Sequence, residues 1–308
     1  MSQFPRSLLE FQQHFAGEDD CAAYLAQQRW PEGFICPACG GRRSWALATK
    51  AFTFECAQCH KQTSVTAGTV MHGSKLSLRV WFWAAYLMAT HSNGISALQL
   101  QEQLGLGSYK TAWLLMAKLR RAMVAPERHC LSGLVEVDET SIAYRRKTEP
   151  PAGGVGRSHQ GKLLIAGAIE VKEGYPGRIR LARIKDFSAK SLHGFLAANL
   201  TPGATAKTDG WPGYNGAAEL THEPHVVGNM AAHIVLPWVH RVFSNLKTWA
   251  LGVYHGLRAR HLQAYLDEFT FRFNRRRTRQ AAFRSLLHIA TAITPATYNM
   301  LISPEAKG

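Results

Sequence analysis

Apolar positions follow helical spacing over the first 130 or so residues and period-two alternation from Leu134 onward. Ser7 to Gln28 carries Leu8, Leu9, Phe11, Phe15, Cys21, Tyr24 and Leu25, which predicts one or two short helices with an apolar face. Leu78 to Ala89 reads as a buried helix rich in aromatics, with Trp81, Phe82, Trp83 and Tyr86. Ile95 to Leu106 predicts a helix that stops at glycine, and a turn through Gly107 and Ser108 leads into a basic helix, Tyr109 to Arg121. After Pro126 the spacing predicts strands at 134–142, 162–171 and 178–186, a helix at 188–200 and a strand at 204–208. A Gly- and Pro-rich loop spans 149–161. In Leu134 to Thr140, alternation sends Glu136 and Asp138 out of one face while Leu134 and Val137 help set the core. Further helices are expected from Pro237 to Leu251, from His261 to Asn274 and from Phe283 to Ile302.

Three sequential strands, a helix and another strand is the order of the ribonuclease-H-like fold. There the first and fourth strands lie side by side at the sheet centre. That arrangement would bring Asp138 together with Asp209, which ends the short strand Thr205 to Thr208 at an Asp-Gly turn signal. Carboxylates at neighbouring strand ends are what a metal-assisted phosphoryl-transfer centre requires, because magnesium or manganese offsets their repulsion with hard oxygen ligation. Taken alone, Glu136 and Asp138 fit equally an exposed acidic sheet edge.

Four of the six cysteines stand in two knuckles, Cys36-Pro37-Ala38-Cys39 and Cys56-Ala57-Gln58-Cys59, separated by sixteen residues. This is the spacing of a structural four-thiolate zinc site, whose closed shell leaves no position for substrate. Cys21 reads as buried packing. The two helices joined at Gly107-Ser108 match a helix-turn-helix, with Ser108, Tyr109, Lys110 and Thr111 where a recognition helix meets DNA. A plain helical hairpin fits the same pattern. Arg275, Arg276 and Arg277 form a basic cluster, either a solvated helix end or a phosphate-contacting patch.

The chain of 308 residues carries 36 Lys and Arg against 21 Asp and Glu, a formal charge of +15, which points to a polyanionic partner, with nucleic acid ahead of a membrane surface. There is no apolar stretch of transmembrane length and no signal-peptide pattern in the first thirty residues, so a cytoplasmic, nucleoid-associated protein is expected. The expected architecture is multidomain: a small zinc ribbon and a helical helix-turn-helix region, then an α/β ribonuclease-H-like mixed sheet with helices. The segments are 1–29 (N-terminal helical), 30–66 (zinc ribbon), 67–130 (helix-turn-helix), 131–280 (catalytic) and 281–308 (C-terminal helical tail).

A four-cysteine ribbon, a helical region, Val135-Glu136-Val137-Asp138-Glu139-Thr140, then Thr208-Asp209-Gly210-Trp211-Pro212-Gly213-Tyr214, then Val239-His240-Arg241-Val242-Phe243-Ser244-Asn245-Leu246-Lys247 resembles the bacterial insertion-sequence transposases of the DDE superfamily that carry an N-terminal zinc ribbon. His261 to Phe269 and Arg272-Phe273-Asn274-Arg275 continue the likeness, which covers about residues 20 to 290. The resemblance implies DNA cleavage and strand transfer of an insertion sequence. Its substrates would be the element's terminal repeats and target DNA, both double-stranded, bound by a homo-oligomer with two Mg or Mn ions beside the structural zinc. Asp138 and Asp209 fall on the family's two aspartates. Its third acidic position, a glutamate followed seven residues later by Lys or Arg, falls on His240 with Lys247. Seven residues return a helix to nearly the same face, whereas Asn245 points about 140° from His240, so His240 is preferred as the third ligand. Glu136 and Glu139 are expected to support the ligands from outside the metal shell, and His222, His225 and His233 read as loop residues. The other readings are a ribbon and helix-turn-helix DNA-binding protein on an inactive ribonuclease-H-like domain, and a nuclease without strand transfer.

Overall fold

The computed structural model describes residues 5–143, 161–217, 219–225, 232–254 and 257–302. All but the last residue of the Gly- and Pro-rich loop expected at 149–161 lies outside them. In chain order the elements are α1 (Leu8–His14), α2 (Glu18–Arg29), β1 (Ser44–Ala46), β2 (Thr53–Cys56), β3 (Gln62–Ser64), α3 (Leu78–Thr90), α4 (Ala97–Gln103), α5 (Tyr109–Arg121), β4 (Leu134–Ala143), β5 (Lys162–Lys172), β6 (Tyr175–Ile184), α6 (Ala189–Asn199), β7 (Thr205–Thr208), β8 (Thr221–Pro224), α7 (Ala232–Val235), α8 (Pro237–Tyr254), α9 (Leu262–Asn274), α10 (Arg279–Ala292) and α11 (Tyr298–Ile302). They form two compact units, residues 1–126 with 277–308, and residues 127–276. Among the described residues no helix is long and apolar enough to cross a membrane.

The first unit is built on aromatic packing. Phe11 of α1, Phe15, Phe82 of α3 and Phe283 of α10 are each at most 2% exposed. The Phe283 ring lies 5.3 Å from Phe11, 5.8 Å from Phe15, 5.9 Å from Phe82 and 6.0 Å from Tyr86, in tilted and edge-to-face arrangements that suit the ring quadrupoles. Burial pushes the Cys21 thiol in this core up to about 12 and keeps it inert. Glu18 of α2 accepts the N–H groups of Leu78 and Arg79 at 2.8 and 2.9 Å, closing the open end of α3. β1, β2 and β3 make a small antiparallel sheet. Its aromatic side is Trp30, Phe34 and Phe54, and Arg29 stacks on Trp30 while donating to the carbonyls of Ser64 and Val65.

The second unit is a five-stranded mixed sheet in the order β6-β5-β4-β7-β8. β5 runs antiparallel to β4 and β6, whereas β7 lies parallel to β4 and β8 parallel to β7. The parallel step follows α6, the crossover that parallel neighbours require. Alternation along the strands feeds two cores. Ile142, Leu163, Ile165, Ile169, Ile179 and Leu181 pack under α8 and α9, while Val135, Val137, Leu164, Ala166 and Ala168 pack under α6. Leu134 does not help set the core. It is 37% exposed and shares its face with Glu136 and Asp138, because residues of equal parity point the same way. Two further differences come from edges. β6 begins at Tyr175, since an edge strand tolerates Pro176 without losing a ladder bond. β8, a short strand of mixed polar residues, carries no apolar alternation and is held by its parallel register with β7 alone.

Because Phe283 touches rings of α1, α2 and α3, through Phe11, Tyr24 and Phe82, Phe283→Ala should cost about 3–5 kcal/mol of stability in the first unit. Amide exchange should speed up in α1, α3 and α10 and stay unchanged in β4 and β5. Unchanged protection in α3 would show that the aromatic hub is dispensable.

Candidate active site and zinc centre

The parallel register pairs Leu134 with Thr205, Val135 with Ala206 and Glu136 with Lys207. Asp138 and Asp209 each lie two positions beyond the last of these pairs, and the charges of both act on Tyr214. Asp138 is 7% exposed, and its Oδ1 accepts the Glu139 N–H at 2.8 Å. The Asp209 turn is built locally. Asp209 Oδ1 accepts the Trp211 N–H at 3.0 Å, Gly210 takes the left-handed φ of 81°, and the Gly210 N–H reaches Thr208 Oγ1 at 3.2 Å. Thr208 is fully buried and meets His222 Nε2 at 2.9 Å, so His222 is a strand residue and not part of a loop. Trp211 donates its indole N–H to the Phe187 carbonyl at 3.2 Å. A Cβ on Gly213 would meet that indole nitrogen at 2.7 Å, which accounts for the second glycine of the motif. Tyr214 ends the motif at 1% exposure, its hydroxyl against Glu139. Burial pushes its pKa well up, helped by the charges of Glu139, Asp138 and Asp209.

α8 brings His240 to this group, with Nε2 3.3 Å from Asp138 Oδ2. Its close approach depends on Gly167 of β5, the cross-strand partner of Asp138, because an added Cβ there would overlap the Phe243 ring. Asn245 and Lys247 are exposed. Glu136, expected as a support for the ligands, instead accepts the backbone N–H groups of Trp238 and Val239 at 2.9 and 3.0 Å. Burial raises its pKa against those two bonds and the charge of Lys207.

In the first unit the ligand atoms of Cys36, Cys39, Cys56 and Cys59 all lie within 4.8 Å of one another. The Cys36 and Cys59 sulfurs are 3.5 Å apart and those of Cys39 and Cys56 3.6 Å apart. Thiolates at about 2.3 Å from one tetrahedral zinc stand about 3.8 Å from each other, so the four sulfurs fit that ion. Each knuckle turns on the residue after its second cysteine, Gly40 at φ 73° and His60 at φ 56°.

Residues 130–274 match the ISXO2-like transposase domain, and residues 16–62 match the transposase zinc-ribbon domain that goes with it. The chain belongs to this transposase family. It is also 31% identical over 157 residues to a protein described as uncharacterized in the transposable element ISH50 of Halobacterium salinarum; the match covers 49% of this chain and 52% of that one. The chain thus spans about half the length of that curated relative.

Within this family member the other residues singled out by sequence are spread over several places. Ser108 caps α5, its Oγ accepting the Thr111 N–H at 3.2 Å and lying 2.9 Å from Thr111 Oγ1. Tyr109 is 54% exposed, and the Lys110 ammonium stands 4.6 Å over the Tyr298 ring. Arg275 stacks on Phe271, while Arg276 stacks on Phe273 and donates to the Pro176 carbonyl at 2.6 Å. Those two guanidiniums are engaged within their own unit, and Arg277 is exposed. The His233 side chain lies outside the described residues, and His225 meets Glu223 at 2.6 Å. Sequence reasoning gave Tyr214 no role beyond its place in the motif, and it missed Gly167. A lone glycine in the apolar run Leu163 to Val171 was the available signal for a close backbone approach.

The thiolate geometry predicts one zinc per chain by elemental analysis. Binding energy on the order of 10–16 kcal/mol is coupled to folding in structural zinc sites, so Cys36→Ser should abolish amide protection in β1, β2 and β3 while β4 to β7 keep theirs. A protected ribbon in zinc-free protein would overturn the assignment.

Proposed function

We propose that the chain is an insertion-sequence transposase that cleaves and joins DNA with divalent metal, and that its second unit is a ribonuclease-H-like catalytic domain. The observation that carries the reading is the His240 imidazole 3.3 Å from Asp138, on a strand whose parallel register with β7 leads toward Asp209. An aspartate within β4 and another just past the end of β7, with an imidazole beside the first, would form a donor set for Mg or Mn. Asp138 and Asp209 would hold two ions and His240 would complete the shell of one. When bound, such ions polarise the scissile phosphodiester and favour deprotonation of the attacking oxygen.

The chain's own residues supply the rest. The acidic group needs compensating cations before it can accept a phosphate, and Lys247, one helical repeat beyond His240, is a candidate phosphate contact. Water would attack phosphorus at the element's end and release a 3′-hydroxyl, whose oxygen would then attack a target phosphodiester and expel a second 3′-oxygen. Ser108, Tyr109, Lys110 and Thr111, at the start of the second of two helices joined by a short turn, suit a helix-turn-helix that reads the terminal repeats. A formal charge of +15 supports double-stranded DNA as the partner, bound by a homo-oligomer.

Incubation of the protein with DNA bearing the element's terminal repeats tests the reading. Joined products support it; cleavage without joining would make the chain a nuclease, and binding alone a DNA-binding protein with an inactive domain. If roughly six to ten phosphates are contacted, affinity should fall by about 10³ to 10⁵ between about 50 and 200 mM salt. Asp138→Ala and Asp209→Ala should abolish cleavage and leave binding nearly unchanged, whereas Lys110→Ala should weaken binding.

The third ligand has its own signature. An imidazole loses its ligating lone pair on protonation, and it suits manganese better than magnesium. Cleavage should therefore fall on the acid side and run faster with Mn. His240→Glu should shift the acid limb downward and raise Mg activity relative to Mn, and His240→Ala should lose most cleavage. An inactive Asn245→Ala beside an active His240→Ala would reassign the role to Asn245.

A further inference from the structure

α8 starts at Pro237, directly after Val235 of α7 and Leu236, a stretch that supplies a proline fitted to the first helical turn but no side chain able to cap it. The first N–H groups of a helix have no partner within it, and Val239 is only 1% exposed, so water does not serve in its place. Glu136 fills the gap from the sheet. It is 3% exposed, and its Oε2 accepts from Trp238 at 2.9 Å and from Val239 at 3.0 Å. His240 is the next helical residue, and its own N–H already bonds the Leu236 carbonyl at 3.3 Å.

Two residues beyond Glu136, on the same face of β4, Asp138 meets the His240 imidazole at 3.3 Å. Strand residues 136 and 138 are thus matched to helix residues 238–239 and 240. Packing of Val239, Val242, Phe243 and Leu246 holds α8 on the sheet, yet apolar contact is non-directional and does not by itself fix how the helix is rotated or where along the strand it starts. Two hydrogen bonds to one carboxylate oxygen do fix both. The buried carboxylate is itself balanced by Lys207, its register partner on β7.

We propose that Glu136 is a positioning residue: by capping the N–H groups of Trp238 and Val239 it sets the start and rotation of α8, and through them the distance of His240 from Asp138. The inference rests on the reading of Asp138 and His240 as metal ligands. Glu136 touches neither DNA nor ion in this role.

The test uses the full chain and four variants. Glu136→Gln keeps an acceptor oxygen of the same reach, Glu136→Leu removes it at similar volume, and Glu136→Asp is one methylene too short. Leu266→Ala, in α9, lowers stability through the core that packs α8 on the sheet and leaves the two bonds to Glu136 in place. A misplacement of about 1 Å costs on the order of 10²-fold, so Glu136→Leu should lose about 30-fold or more in Mn-supported kcat with KM within about 3-fold, and Glu136→Gln should recover to within about 5-fold. The nitrogen shifts of the His240 imidazole should move in the Leu variant and return in the Gln variant. Leu266→Ala should keep kcat and those shifts at an equal loss of melting temperature. Where Glu136→Leu does not fold, Glu136→Asp should show the same losses. Retained kcat in both Leu and Asp variants, Gln as impaired as Leu, or an equal kcat loss in Leu266→Ala would overturn the proposal. If the native protein cleaves no DNA, the transposase reading fails by itself. The positioning role is then decided by the His240 shifts: movement in the Leu or Asp variant supports it and constancy overturns it.

Discussion

The parallel pairing of β4 with β7 is the constraint on which the second unit depends. A hairpin cannot make it, so the chain must leave β6, cross over through α6 and return beside its own first strand. The return is costly in chain entropy, and it is offset by burying both faces of the central strands, one under α8 and α9 and the other under α6. What the crossover gains for chemistry is a register that pairs Glu136 with Lys207, two residues before Asp138 and Asp209. Asp138 has the His240 imidazole at 3.3 Å, and the charges of Glu139, Asp138 and Asp209 act together on the buried Tyr214 hydroxyl, which they and its burial hold in the protonated form.

Carboxylates elsewhere in the molecule are handled differently. Three of them are satisfied by donors at a helix start or by an arginine. Glu18 closes α3 from α2, and Asp186 accepts from Ser188 and Ser191 at the start of α6, which holds its pKa down at about 2. Glu170, fully buried, takes the Arg178 guanidinium at 2.6 and 2.9 Å and the Ser132 N–H at 3.1 Å, tying the approach to β4 onto β5. Asp138, by comparison, accepts its own neighbour's N–H at 2.8 Å and faces the His240 imidazole at 3.3 Å.

The first unit solves a different problem. Its ribbon is too small to bury much apolar area, and the four thiolates take the place of a core there. Its helical part relies on aromatic rings drawn from both ends of the chain, with Phe283 among Phe11, Phe15, Phe82 and Tyr86. That packing makes α10 part of the N-terminal unit although the sequence between them is occupied by the mixed sheet.

Much of this was legible without coordinates, for physical reasons. Cysteine spacing alone sets ligand geometry, so the zinc knuckles could be read directly. Period-two alternation marked β4 and β5, and helical spacing marked α3, α5, α8 and α9, because those periodicities are imposed by backbone geometry whatever the surroundings. The order of strands and helix could be read as well, and with it the pairing of β4 with β7. Other features depend on contacts between residues far apart, and no local pattern carries them. Glu136 reads like any strand carboxylate until α8 is laid over it, and Arg276 reads as a DNA contact until the Pro176 carbonyl is seen within reach. Leu134 was misassigned by parity, and β8 exists only because β7 templates it. Local sequence determined the elements and the metal-ligating chemistry of the ribbon. Tertiary structure alone decided which polar groups are already satisfied, because a hydrogen bond is a property of two residues and the chain brings them together only when folded.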